Sequence, residues 1–169
     1  MKISIADRNS DLEALVRLFS KNVTDDYISH QELMGHRALG PGKWAPDIAD
    51  QFRKEIGERL LDPREHFPTQ GNWLGTIEAH EDGRLIALAL VTVSRDAAVP
   101  FGVIEDIVVD SALRGGGHGT RMMNWIADEF RACGLTRAFL ESGAGNEHAH
   151  HLFEKLGFKQ VSIVMMQEL

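Results

Sequence analysis

The run Arg114-Gly115-Gly116-Gly117-His118-Gly119-Thr120 constrains this chain more than any other stretch. A hydrophobic run, Val103 to Val109, leads into it, and an amphipathic run, Thr120 to Phe130, leads out. Strand, glycine-rich turn, helix is an arrangement that cradles a phosphate. Four glycines in five positions let the backbone approach a ligand and adopt positive φ. Consecutive N–H groups then point outward at a helix start, where the dipole also favours an anion. There is no Gly-x4-Gly-Lys-Ser/Thr, which excludes a nucleoside-triphosphate loop. Gly115-x-Gly117 is followed by Thr120 where a dinucleotide fingerprint needs its third glycine. The plain alternative is a flexible connection from strand to helix.

The remaining chain suits a single domain over 1–169 with room for a proper core. Net charge is −7 and no long basic run occurs, which argues against a nucleic-acid or anionic-membrane partner. No apolar run approaches the length that spans a bilayer. The first residues do not read as a signal peptide. The single Cys133 has no internal disulfide partner and fits a reducing cytoplasm.

Taken in order, Lys2 to Ala6 alternates as a short strand. Leu12, Leu15, Val16 and Phe19 recur at helical spacing over Asp11 to Asn22. Thr24 to Lys43 is irregular, with a short helix expected near His30–Leu39. Pro46 opens a helix that Asp62-Pro63 ends. Asn72 to His80 and Arg84 to Ser94 read as strands around a Glu81-Asp82-Gly83 hairpin turn. Gly102 to Asp110 is the strand before the glycine turn, and Thr120 to Ala132 the helix after it. Thr136 to Glu141 is a strand, Glu147 to Leu156 a helix stopped by Gly157, and Phe158 to Glu168 a last strand region. Hairpin-linked strands followed by helix-linked ones predict an α+β domain on a central mixed sheet, with helices on its flanks. The strands on either side of the third long helix should be parallel neighbours.

Two blocks carry a resemblance. Arg114 to Gly119 reads Arg-x-x-Gly-x-Gly. Asn146-Glu147-His148-Ala149-His150-His151-Leu152-Phe153-Glu154-Lys155-Leu156-Gly157-Phe158 reads as Asn-x-x-Ala-x-x-Leu-Tyr-x-x-x-Gly-Phe, with Phe153 in place of the tyrosine. In order and in register, with one helix and one strand between them, they resemble the GNAT superfamily of acyl-CoA-dependent N-acyltransferases. The resemblance implies a mostly antiparallel sheet with one parallel pair that splays apart, and an acetyl-CoA-binding core over 103–158. It implies acetyl-CoA as cosubstrate and a small-molecule amine as acceptor. The pyrophosphate would be held by the amides around Gly115, Gly116, Gly117, His118 and Gly119 with the Thr120 hydroxyl, while Arg114 contacts phosphate or braces the turn. The backbone of Ile107, Val108 and Val109 would pair with the pantetheine arm, and an N–H near Ile107 would polarise the thioester carbonyl. Asn146 would bond the cofactor arm, or serve as a helix N-cap.

The transfer also needs a group to take the amine's proton. Glu105 and Asp106 stand side by side inside an apolar strand, where a carboxylate is costly unless bonded or useful. Regular alternation sends them to opposite faces, and a bulge would alter that. Glu105 is the expected base or amine anchor and Asp106 a structural acceptor; the alternative is a Glu105 that faces solvent. Ile-Glu-Asp here resembles the polyamine and amino-sugar-phosphate branches of the family. Ser142 could face the thioester. His148, His150 and His151 have no evident Cys or carboxylate partner, so no metal site is expected. The acceptor side is expected over 24–71, where Tyr27, His30, His36, Trp44 and Asp47 are candidate pocket residues beside Trp73. A catalytically silent acyl-CoA-binding domain is the alternative function, with Phe153 as its support. The assembly is open between one copy and a homodimer.

Overall fold

The computed structural model describes residues 1–169. The elements are β1 (Lys2–Ile5), α1 (Leu12–Asn22), α2 (His30–Met34), β2 (Ala38–Gly40), β3 (Lys43–Trp44) and α3 (Ile48–Arg59). After these come β4 (Trp73–Glu81), β5 (Arg84–Ser94), β6 (Phe101–Val109), α4 (His118–Ala132), β7 (Ala138–Leu140) and α5 (Glu147–Lys155). They fall into two compact units: Met1–Val23 with Pro46–Glu141, and Thr24–Ala45 with Ser142–Leu169. No helix is long and apolar enough to cross a membrane.

The first unit is built on a five-stranded sheet of order β1-β4-β5-β6-β7. Its first three pairings are antiparallel and β6–β7 is parallel, as the strand–helix–strand pattern predicts. The β4–β5 turn places both Asp82 (φ 51°) and Gly83 (φ 77°) in the left-handed region, the conformation a two-residue hairpin needs to match strand twist. β5 lies in the middle and is buried continuously from Ile86 to Val91.

Helices cover both faces of this sheet. On one, α1 is capped by Asp11, whose Oδ1 accepts the Ala14 N–H at 2.9 Å. Its Leu15 and Phe19 are wholly buried, and Phe19 stacks on Phe52 of α3 at 3.5 Å between centroids. Each such burial stabilises by about 1.5–3 kcal/mol. On the other face lies α4: a Cβ at Gly102 would come within 2.4 Å of the Phe130 ring. Phe130 continues into Phe67 and Trp73 (centroids 5.2 and 5.1 Å). Trp73 is 3% exposed, so it is a core residue and not a pocket wall.

The parallel pair is short. Only Gly102, Val103 and Ile104 of β6 face β7, opposite Ala138, Phe139 and Leu140. From Glu105 to Val109 no strand pairs with that edge, so the pairing of the two strands ends there, as the resemblance implies.

In the second unit, α2 opens with a capping box: Ser29 and Glu32 bond reciprocally, with the Ser29 N–H 2.8 Å from Glu32 Oε2. The chain then turns into the small β2–β3 hairpin where only a helix to Leu39 was expected. Pro41 and Gly42 supply the turn between its strands. α5 ends in a Schellman motif: Phe158 N–H donates to Phe153 O and Gly157 N–H to Glu154 O, both at 3.0 Å. Gly157 takes φ 90° and the rings of Phe153 and Phe158 pack 6.2 Å apart.

The expected last strand is absent. Phe158 to Glu168 pairs with nothing, and Val161, Ile163 and Met165 are 78%, 76% and 91% exposed. Alternating apolar residues give a segment strand character, but only a ladder partner makes it a strand.

Candidate functional site

The glycine turn is shaped from both sides. Before it, Asp110 Oδ1 accepts the Ala112 N–H at 3.0 Å and opens a one-turn helix, Ser111–Leu113. Asn22, at the end of α1, is buried; its Oδ1 accepts the Ser111 N–H at 2.7 Å and its Nδ2 donates to Leu18 O at 2.7 Å. Arg114 donates to the main-chain carbonyl of Asn22. This bond ties the turn to the end of α1.

Within the turn, Gly115 (φ 82°) and Gly117 (φ 76°) are left-handed, and a Cβ at either would meet no atom within 4 Å. Space is open at both, and only the backbone angle demands glycine. Gly116 N–H is already engaged by Leu113 O at 3.3 Å. His118 folds back over Gly116, and its ring is buried rather than presented to solvent. Its Nδ1 lies 2.8 Å from Arg121 Nη2. Arginine only donates, so Nδ1 accepts and the ring proton of the neutral imidazole sits on Nε2. α4 starts at His118 with Gly117 as its cap and no side chain on its first amides. The leading N–H groups of the helix thus face outward with the positive end of its dipole.

Both β6 carboxylates lie on one face of the sheet, because the strand bulges between them and their neighbours. Val103 faces Thr92 and Asp106 faces Leu90, while Glu105 has no partner of its own. Thr92 and Leu90 are two apart and share a face. Val103 and Asp106 therefore share it too, although three apart, and the extra residue is Glu105.

Glu105 is firmly held. Its Oε1 accepts the Thr92 hydroxyl at 2.6 Å, and its Oε2 accepts from Arg59 Nη2. Arg59 also donates to Val91 O at 3.0 Å, to Gly75 O at 3.4 Å and to Glu55 Oε1 at 2.8 Å. The Arg59 side chain is 5% exposed and that of Glu105 25%. Glu105 is half-buried and still reachable, neither a solvated edge residue nor a sealed one. Asp106 is 1% exposed.

In the second unit, the loop Ser142–Gly145 lies on the Asp26–Ile28 backbone. A Cβ at Gly143 would stand 2.2 Å from Asp26 O and 2.5 Å from Ile28 O, so no larger residue fits. The Ser142 hydroxyl is buried and has no hydrogen-bond partner. Asn146 stands at the N-cap of α5, but its side chain makes no cap bond. Phe153 is 7% exposed. Tyr27 and Trp44 pack at 6.2 Å, with Trp44 Nε1 donating to Thr24 O at 3.3 Å. His148, His150 and His151 ride on α5, and no three His, Cys, Asp or Glu side chains converge as metal ligands would.

Asn22, Arg59 and Thr92 are the site residues that the motifs do not reveal. A signal for two of them exists. Asn22 follows Leu15, Leu18 and Phe19 on the buried stripe of α1, and Arg59 follows Phe52 and Ile56 on that of α3. A polar residue at an apolar position of a stripe implies an internal partner.

The sequence over residues 43–158 matches the acetyltransferase (GNAT) family. It is 29% identical over 141 residues to a glucosamine 6-phosphate N-acetyltransferase of Trypanosoma brucei brucei, covering 79% of this chain and 83% of that one. The fold is similar to that of an aminoglycoside antibiotic 6'-N-acetyltransferase from Acinetobacter haemolyticus, with a TM-score of 0.68 at 17% identity over 100% of this chain and 98% of that one. It is also similar to an aminoglycoside N-acetyltransferase solved in complex with CoA, with a TM-score of 0.63 at 18% identity over 99% of this chain and 93% of that one.

Proposed function

The chain belongs to the acetyltransferase (GNAT) family of enzymes, and from that premise we propose that it transfers an acetyl group from acetyl-CoA to the primary amine of a small molecule. Polyamines, amino sugars, amino acids and antibiotic-like amines are the acceptor classes to test. The amine attacks directly in a ternary complex. Bound acetyl-CoA supplies an activated acetyl thioester; the residues of the chain supply position and proton transfer.

The turn fits a pyrophosphate. The amides of Gly117, His118 and Gly119, at the start of α4 where no side chain caps them, would hold it with the Thr120 hydroxyl, and Arg114 ties the turn to Asn22. The edge of β6 beyond Ile104, including Ile107, Val108 and Val109, takes the pantetheine arm as an added strand. Asn146, whose side chain makes no cap bond on α5, is a candidate to hydrogen-bond the cofactor.

Glu105 accepts the amine's proton, directly or through one water. The observation that carries this reading is its position: a held but reachable carboxylate on the residue where β6 leaves β7. Bond making joins the amine nitrogen to the acetyl carbon, and the carbon–sulfur bond breaks. A thiolate with a pKa near that of cysteine, about 8.5, leaves without an obligatory acid. Phe153 has no proton to give; water, His148 or Ser142, whose hydroxyl lacks a partner, can supply one. The free thiol of Cys133 fits a cytoplasmic protein. Burial pushes that thiol up from its ordinary value, which keeps it unreactive.

The test is acetyl-CoA turnover over a panel of polyamines, aminoglycosides, amino sugar phosphates and amino acids, with Glu105→Gln as control. Glu105→Gln should lower kcat by roughly 10²-fold or more without changing acetyl-CoA affinity. Phe153 favours one other reading, a silent acyl-CoA-binding domain. Acetyl-CoA binding without turnover of any amine would establish that reading in place of ours.

A further inference from the structure

We propose that Arg59, together with Thr92, is a positioning residue for the transfer, fixing the orientation of the Glu105 carboxylate at the β6 bulge; this rests on the assignment of Glu105 above. A bulge leaves its extra residue without a ladder partner, so the ladder does not hold it. Here two side chains take over. Thr92 holds one carboxylate oxygen and Arg59 the other, so rotation about the last side-chain bond is blocked. The lone pairs left over are fixed in direction, as a group that must meet an incoming amine requires.

Arg59 is itself anchored to the irregularity. One of its terminal nitrogens binds the main-chain carbonyl of Val91, the residue on β5 at which the register shifts. The other binds Glu105 and Glu55. Helix α3, the backbone at the bulge and the carboxylate are joined through one planar group. A lysine keeps the charge but gathers its donors on a single atom, so it cannot serve Val91 and Glu105 from two. A buried guanidinium is costly, and a merely structural contact between α3 and the sheet would be met by an apolar side chain.

The test is a double-mutant cycle on the enzyme with its best acceptor, read as kcat and as acetyl-CoA affinity, with thermal unfolding measured for every variant. Arg59→Lys should lower kcat roughly ten- to a hundredfold and leave acetyl-CoA affinity unchanged. In the Glu105→Gln background the same change should alter kcat by no more than about twofold, since the group it orients is gone. Thr92→Val, nearly isosteric and β-branched, gives a second entry to the cycle should Arg59→Lys not fold; it should also slow kcat only while Glu105 is present. Wild-type kcat in these variants, or losses that multiply with that of Glu105→Gln, overturns the proposal. Wild-type turnover by Glu105→Gln itself is a distinct failure, which removes the base assignment and the proposal with it.

Discussion

Arg114 Nη2 donates to the main-chain carbonyl of Asn22, 3.1 Å away, at the C-terminal end of α1. A guanidinium there meets the negative end of a helix dipole, worth about 0.3–1 kcal/mol at an exposed site. Arg114→Met should therefore lower the unfolding midpoint, while acetyl-CoA affinity falls by well under tenfold, about 1.4 kcal/mol. Calorimetry with and without acetyl-CoA reads both. A tenfold loss of affinity in a variant of unchanged stability would reassign Arg114 to the phosphates.

Gly117 offers a cleaner probe of the cradle. Crowding does not restrict it, since a Cβ there meets nothing within 4 Å; the positive φ of 76° does. Asn tolerates that conformation and Asp is nearly its isostere. Gly117→Asn and Gly117→Asp should unfold at similar temperatures. Only the aspartate places a negative charge against the pyrophosphate, and it should bind acetyl-CoA at least about tenfold more weakly than the asparagine variant. Equal affinities would rule out this placement of the phosphates.

Much of this architecture is legible in the sequence wherever a local signal fixes it. Asp82-Gly83 names its hairpin, and Gly157 names the end of α5. The glycine run announces a strand-to-helix turn and, with the Asn146–Phe158 block, the family. What stays hidden is set by pairing between distant strands. No residue in Ile104-Glu105-Asp106 says that β6 bulges; the shift exists only relative to Leu90 and Val91. Alternation alone therefore puts the two carboxylates on opposite faces. Phe158 to Glu168 has strand composition without a ladder partner. Arg59 shows its place on the buried stripe of α3 in the sequence, but its acceptors, the Val91 and Gly75 carbonyls, are brought to it only by the fold.

Phe153 is buried and packs on Phe158 at the end of α5. Phe153→Tyr keeps the ring and adds a proton donor. Because the thiolate leaves tolerably without one, the change should alter kcat by no more than roughly tenfold, about 1.4 kcal/mol of barrier. Acetyl-CoA affinity should hardly move. Steady-state kinetics beside a binding isotherm check both. An inactive wild type with a clearly active Phe153→Tyr variant would overturn this account of the leaving group.

Glu78 on β4 sets a pH dependence of stability. Burial raises its carboxyl above the ordinary 4.5, against lowering by His80, the Ser10 hydroxyl and Lys2, while Asp7 raises it further. The folded chain thus holds this proton more tightly than the unfolded one. The stability it gives is fully present below 4.5 and is lost as pH rises through the folded value. Glu78→Gln should therefore melt higher than wild type at pH 7, with the gap closing as the pH is lowered toward 4. A gap that is constant with pH, or of opposite sign, would refute the assignment.

The bulge on β6 also bears on how such a strand tolerates loss. Phe101–Ile104 and Asp106–Val109 follow opposite parities, and Glu105 is the one residue between them without a place in the ladder. Removing it shears nothing: Ile104 and Asp106 become neighbours facing Val91 and Leu90 as in a regular antiparallel pair. A single-codon deletion at this position would leave a straightened sheet behind and carry the carboxylate away with it. Architecture and reactivity are thus separable here by one residue, and a chain could shed the second while inheriting the first intact.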